Sequence, residues 1–211
     1  MIRQLSVFLL KLFAMNIPVT VYAEMTPNPT TMKFVANKYL LATGDSVEFT
    51  KKQDAKGYSP LAEELFAFPF VKAVFIAANF ITITKTDNVP WDFITMELRE
   101  YIRNFLAEGK EVLIQMPLPA EKKAATERPE IAEPSELDEP ILALLDQYVR
   151  PAVENDGGAI DYVGCKDGIV NLILKGSCSG CPSSTATLKG GIETLLKQHL
   201  PEVKSVVAYN G

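Results

Sequence analysis

Apolar residues fall into strand-like runs and helical periodicities in two separate stretches, parted by a polar, proline-rich interval. In the first stretch, Val19–Glu24 and Met32–Val35 read as strands around the loop Met25-Thr26-Pro27-Asn28-Pro29-Thr30. Ser59 before Pro60 predicts a helix start running to Leu65–Phe66: a serine hydroxyl caps free N–H groups, and proline lacks the N–H that would go unpaired there. Phe70–Ile76 and Phe80–Thr84 are rich in aromatic and β-branched residues. With Ala77-Ala78-Asn79 around their junction, they predict a hairpin. Trp91, Ile94, Leu98, Ile102 and Phe105 recur at helical spacing, so a helix covers Trp91–Glu108 and ends at Gly109. Val112–Gln115 reads as a last strand.

The second stretch opens on a capping-box pattern, Ser135-Glu136-Leu137-Asp138. Leu137, Ile141, Leu144, Leu145, Tyr148 and Val149 then mark one helix face, which Gly157-Gly158 stops. Two strands follow, Ala159–Gly164 and Ile169–Lys175, with Lys166-Asp167-Gly168 as their turn. A helix reaches about His199, and Val203–Ala208 closes the unit as a strand. The order α-β-β-α-β suits a small sheet with both helices on one face. The expected fold class is therefore α+β: two small α/β-sandwich domains, a mixed strand/helix unit at 17–116 and an α-β-β-α-β unit at 137–211.

The interval between them, 117–136 (PLPAEKKAATERPEIAEPSE), holds four prolines, four alanines and eight charges without an aromatic residue. It has too little apolar surface to offset its ordering entropy and reads as a Pro/charge-rich linker, letting the two domains reorient. Residues 1–16 form an extension of unclear role. Within it, 1–14 carry an apolar stripe (Leu5, Phe8, Leu9, Leu12, Phe13) with only Arg3 and Lys11 as cations. The expected location is cytoplasmic and bacterial in type, or mitochondrial if 1–14 is a presequence.

Charge narrows the function classes. Twenty-one basic against 26 acidic side chains give a net charge of −5, which disfavours nucleic acid and anionic membrane surfaces, both of which need a basic face. No apolar run is long enough for a membrane-spanning helix. Three cysteines are too few, and odd in number, for a secreted disulfide framework. The first stretch contains neither cysteine nor histidine and no glycine-rich phosphate loop.

The chemistry sits in Gly176-Ser177-Cys178-Ser179-Gly180-Cys181-Pro182. Cys178 and Cys181 form a C-x-x-C pair at a strand-to-helix junction, with glycines that permit tight turns and a proline suited to the first helical turn. A helix N-terminus favours thiolate, and thiolates select soft metals. A zinc ion or an iron–sulfur cluster takes four protein ligands, and this loop offers two. Cys165 reads as a small buried apolar residue, and His199 as a solvated residue about five helical turns away. A second copy of the chain completes the set, so a homodimer bridged by a cluster is expected. Two other readings of the same pair are a thiol–disulfide oxidoreductase and a structural zinc module. Gly190-Gly191, inside the last helix, suit either an exposed face or close packing against the sheet or a second subunit.

Val149-Arg150-Pro151 through Asn155-Asp156-Gly157-Gly158, Gly176–Ser184 and Pro201-Glu202-Val203 closely resemble the C-terminal domain of NifU-like (Nfu-type) iron–sulfur cluster carriers. The first stretch resembles the Nfu N-terminal domain through Glu24-Met25-Thr26-Pro27-Asn28-Pro29, Phe34 and Ser59-Pro60-Leu61-Ala62. The resemblance implies that Cys178 and Cys181 ligate a [4Fe–4S] cluster shared between two subunits. It further implies that the cluster arrives from an upstream assembly scaffold and passes to apo iron–sulfur client proteins, without catalytic turnover. The N-terminal domain would be an accessory that tunes client recognition or assembly.

Overall fold

The computed structural model describes residues 18–42, 44–117, 134–180 and 182–211, with backbone alone at 182–184. The expected extension 1–16, most of the linker and Cys181 lie outside these residues.

The first unit runs β1 (Val21–Met25), β2 (Thr31–Ala36), β3 (Ser46–Phe49), α1 (Lys52–Ala55), α2 (Pro60–Leu65), β4 (Val71–Ala77), β5 (Phe80–Lys85) and α3 (Trp91–Ala107). Its five strands form an antiparallel sheet in the order β1-β2-β5-β4-β3. The expected hairpin is β4–β5, closed where Ala77 pairs with Phe80. Ser59 caps α2 as expected: its Oγ accepts from Ala62 N at 3.1 Å and donates to Val112 O at 2.6 Å.

Val112–Gln115, expected as a strand, is not one. The Val112 carbonyl receives the Ser59 hydroxyl and Ile114 N donates to Tyr58 O, so this segment braces the entry to α2, and the sheet edge belongs to β3.

One sheet face carries Met32, Phe34, Val74, Ile76, Ile81 and Ile83 against Leu61, Leu65, Leu98 and Ile102 of α2 and α3. The opposite face carries Val35, Phe75, Ala77 and Phe80. All six residues of β2 are buried, because both faces of the strand are covered.

In the second unit, α4 (Asp138–Leu144) passes through a π turn at Leu145–Val149 into α5 (Arg150–Asn155). Pro151 cannot donate the usual i→i−4 bond, and the widened turn just before it accommodates the ring without ending the helix. Then come β6 (Gly158–Lys166), β7 (Ile169–Gly176), α6 (Pro182–His199) and β8 (Ser205–Asn210). β6 and β7 are antiparallel, and β7 and β8 are parallel. Asp167 (φ 54°) and Gly168 (φ 80°) make the two-residue hairpin turn, whose left-handed positions match the strand twist. Ile141, Leu145, Val149 and Val153 share one core with Ile192 and Leu196 of α6 and with Ile160, Val170, Leu172 and Val206 of the sheet. Both helices thus cover one face, as expected.

The two units are docked. Ala159 packs on the Val35–Phe75–Ala77–Phe80 cluster, Thr82 Oγ1 donates to Gly157 O at 2.6 Å, and Lys33 Nζ donates to Asn155 O at 3.0 Å. Two left-handed glycines permit this approach. A Cβ at Gly157 (φ 82°) would stand 2.9 Å from Thr82 Oγ1, and one at Gly176 (φ 64°) would stand 2.8 Å from the Phe75 ring. Domains expected to reorient on a tether are held together by polar and apolar contacts.

Candidate thiolate site

β7 ends at Gly176, whose left-handed backbone turns the chain into Ser177–Gly180 ahead of α6. The loop is held from inside. Ser177 Oγ donates to Asp156 O, Ser179 N to Gly176 O at 3.2 Å, and Thr185 Oγ1 to Cys178 O at 3.2 Å. Gly180 N donates to Asn210 Oδ1 at 3.3 Å, tying the loop to β8.

Cys178 is 7% exposed and belongs to the core of the second unit. Its Sγ occupies space left by the missing side chain of Gly158, where a Cβ would come within 2.7 Å of it. Ser177 Oγ lies 3.8 Å from Sγ. Burial pushes the Cys178 thiol above its ordinary range; the Ser177 hydroxyl pulls it down and the nearby Asp156 carboxylate raises it again. For Cys178, burial opposes the thiolate that a helix N-terminus was expected to favour. The docked form keeps this sulfur inward.

Cys181 lies outside the described residues. Cys165 is a core residue of β6, as the sequence suggested, with its thiol pushed up chiefly by burial. It stands seven residues along the strand from Gly158, about 23 Å at strand rise, and is out of reach of Cys178. His199 stacks on Tyr148, ring centroids 6.2 Å apart, at the end of an 18-residue helix that spans about 27 Å. Among the described residues, no three His, Cys, Asp or Glu side chains converge on a metal-sized space. Gly190 and Gly191 face open space, so packing against their own sheet is excluded.

Sequence reasoning missed what the first unit brings to the loop. Asn28 Nδ2 donates to Ser177 O at 3.1 Å and to Ser179 O at 3.4 Å, on both sides of Cys178. Glu48 Oε1 accepts from Gly176 N at 3.3 Å, and burial raises this carboxyl to about 7, with Gly176 N–H and Lys175 opposing the rise. Pro27, Ala152, Val153, Asp156 and Cys178 line a cleft of about 420 Å³ between the units. The Thr-Pro-Asn-Pro run signals a tight turn, but nothing in it encodes a partner 149 residues away. No helix among the described residues is long and apolar enough to cross a membrane.

Comparison with known proteins agrees with this architecture. Residues 21–109 match the family described as scaffold protein Nfu/NifU N terminal, and residues 141–207 match the NifU-like domain. A relative from Arabidopsis thaliana, NifU-like protein 4, mitochondrial, is 37% identical over 188 residues, which cover 88% of this chain and 64% of the relative. The mitochondrial NFU1 iron-sulfur cluster scaffold homolog of Drosophila erecta is 38% identical over 201 residues, covering 92% of this chain and 69% of its own. The chain thus spans about two thirds of the length of these relatives. The solution NMR structure of a NifU-like protein from Saccharomyces cerevisiae aligns with 46% of this chain and 87% of its own, at 27% identity and a TM-score of 0.42. With both family domains matched in order and a relative 38% identical over 201 residues, 69% of its own length, the chain belongs to the Nfu family of NifU-like scaffold proteins.

Proposed function

We propose that the protein is an iron–sulfur cluster carrier in which Cys178 and Cys181 from each of two copies hold a shared [4Fe–4S] cluster as cargo. The observation that carries this is the isolation of Cys178. It sits on a strand-to-helix loop of the NifU-like domain, and neither Cys165 nor His199 can reach it. A cluster needs four protein ligands, so two from each of two chains complete the set. The Ser177 hydroxyl, 3.8 Å from Sγ, is a neutral hydrogen-bond donor of the kind that suits a thiolate ligand. The cluster supplies the iron that client thiolates attack. The chain's own part is to present two sulfurs and let them be displaced one at a time.

The proposed clients are apo iron–sulfur proteins and the proposed donor is an upstream assembly scaffold. The role is non-enzymatic. A thiol–disulfide oxidoreductase would want an exposed, acidic thiol, and the raised, buried Cys178 opposes that. The relatives' names place them in mitochondria, which favours the presequence reading of 1–14 over a bacterial cytoplasm.

Anaerobic purification tests the proposal. A brown protein with about four irons and four sulfides per dimer is the expected result, with Cys178→Ser or Cys181→Ser abolishing both colour and dimer. A colourless zinc dimer, or a fully loaded monomer, overturns it.

A further inference from the structure

Asn28 is 2% exposed, and its side chain is fully engaged. Oδ1 accepts from Thr30 N at 3.0 Å and from Thr30 Oγ1 at 2.7 Å. Those two donors fix the amide orientation, so Nδ2 faces the carbonyls of Ser177 and Ser179. Four hydrogen bonds are the capacity of an amide group, and here they are split evenly between its own turn and the cysteine loop of the other domain. The turn is itself rigid. Thr26 Oγ1 bonds to Asn28 O at 2.9 Å, Thr31 Oγ1 to Asn28 O at 3.0 Å, and Trp91 Nε1 to Pro29 O at 3.0 Å.

We infer that Asn28 is a positioning residue for the cysteine loop: the first domain supplies one wall of the thiolate site, and domain docking sets the accessibility of Cys178. The inference rests on the carrier reading for its purpose but not for its geometry. In the docked state the two carbonyls flanking Cys178 are clamped from outside and Sγ is turned toward Gly158. A sulfur so placed cannot meet a second copy of the chain. Releasing the clamp frees the Ser177–Gly180 backbone to rotate and bring the sulfur out. Thr82, which bonds to Gly157 O from the same sheet face, belongs to the same latch.

The test uses the metal-free, full-length protein and iodoacetamide. Rates at Cys178 and Cys165 are resolved by tandem mass spectrometry of the same sample. A buried thiol reacts only through opening, so its rate follows the opening equilibrium when reclosure is fast. Asn28→Asp keeps the acceptor that holds Thr30 but replaces the donor that faces the two carbonyls. It should raise the Cys178 rate about tenfold with Cys165 unchanged. Thr82→Val, similar in shape and joined to the loop only through the Gly157 carbonyl that also accepts from Ser177 N, should raise it several-fold. An unchanged Cys178 rate in Asn28→Asp overturns the inference, as does a parallel rise at Cys165, which would report loosening of the whole second domain. Should Asn28→Asp not fold, Thr82→Val decides alone, and an unchanged rate there is the overturning result. The ratio is read without iron, so it stands apart from the iron content that tests the carrier reading.

Discussion

Glu48 gives the docked interface a measurable pH dependence. Its carboxyl lies on β3 of the first domain and is buried against Gly176 of the second, with Lys175 nearby and engaged with Asp161 at 2.5 Å. One oxygen accepts the Gly176 N–H, and Oε2 is buried without a hydrogen-bond partner. Burial lifts the carboxyl from an ordinary 4.5 to about 7, so ionising it in the docked state costs about 3 kcal/mol more than in water. Because the docked value is the higher one, stability is fully present below 4.5, is lost as the pH rises, and levels off above about 7. Glu48→Gln keeps an oxygen for Gly176 N–H and removes the charge. At pH 8 the variant should exceed the parent by about 2–3 kcal/mol, and at pH 4.5 the two should nearly coincide. Denaturant unfolding followed by Trp91, the single tryptophan, reads the first domain directly. A difference that is equal at both pH values, or a variant less stable at pH 8, refutes the reasoning.

Other expectations follow from particular contacts. Gly158→Ala would place a methyl 2.7 Å from both Cys178 Sγ and Lys175 O, so a loss of about 1–3 kcal/mol is expected in thermal unfolding, with faster alkylation of Cys178. An unshifted melting temperature would contradict the close packing. Cys165→Ser buries a hydroxyl at a core position and should cost about 1–3 kcal/mol while leaving bound iron unchanged; lost iron would show that the ligand count is wrong. Gly190→Ala with Gly191→Ala fills open space on a helix and should add about 1 kcal/mol per site. If native mass spectrometry instead shows that the iron-loaded dimer is lost, a second subunit packs on that face.

Much of the fold was legible because local chemistry and tertiary context agree. Ser59-Pro60 could only open a helix cheaply, Asp167-Gly168 matched the turn its strands required, and the Trp91 periodicity faced a core that was there to receive it. The misses have physical causes. Ser46–Phe49 has only four residues, one of them Glu48, and its strand character comes from pairing with β4 instead of from its own pattern. Val112–Gln115 looked like a strand but had its backbone groups claimed by Ser59 and Tyr58. At the site, Cys178 was readable from residue type and spacing. Its inward sulfur was not, because that direction is decided by the absent side chain at Gly158. Lys33, inside the strand that the pattern predicts, is buried, bonded to Glu24 at 3.3 Å and to Asn155 O across the interface, and nothing local in its sequence signals that second partner.

The double coverage of β2 has a consequence for how readily the two halves can part. If the halves swing apart, Val35, Phe75, Ala77 and Phe80 come into contact with water, each large side chain at a cost on the order of 1.5–3 kcal/mol. Spontaneous gaping is then rare, and the exposed greasy surface favours whatever protein can cover it. Exposure of Cys178 becomes an event timed by encounter: under the proposed carrier role, a protein with an apolar face of its own, a second copy of the chain included, stabilises the unlatched form, while water alone does not.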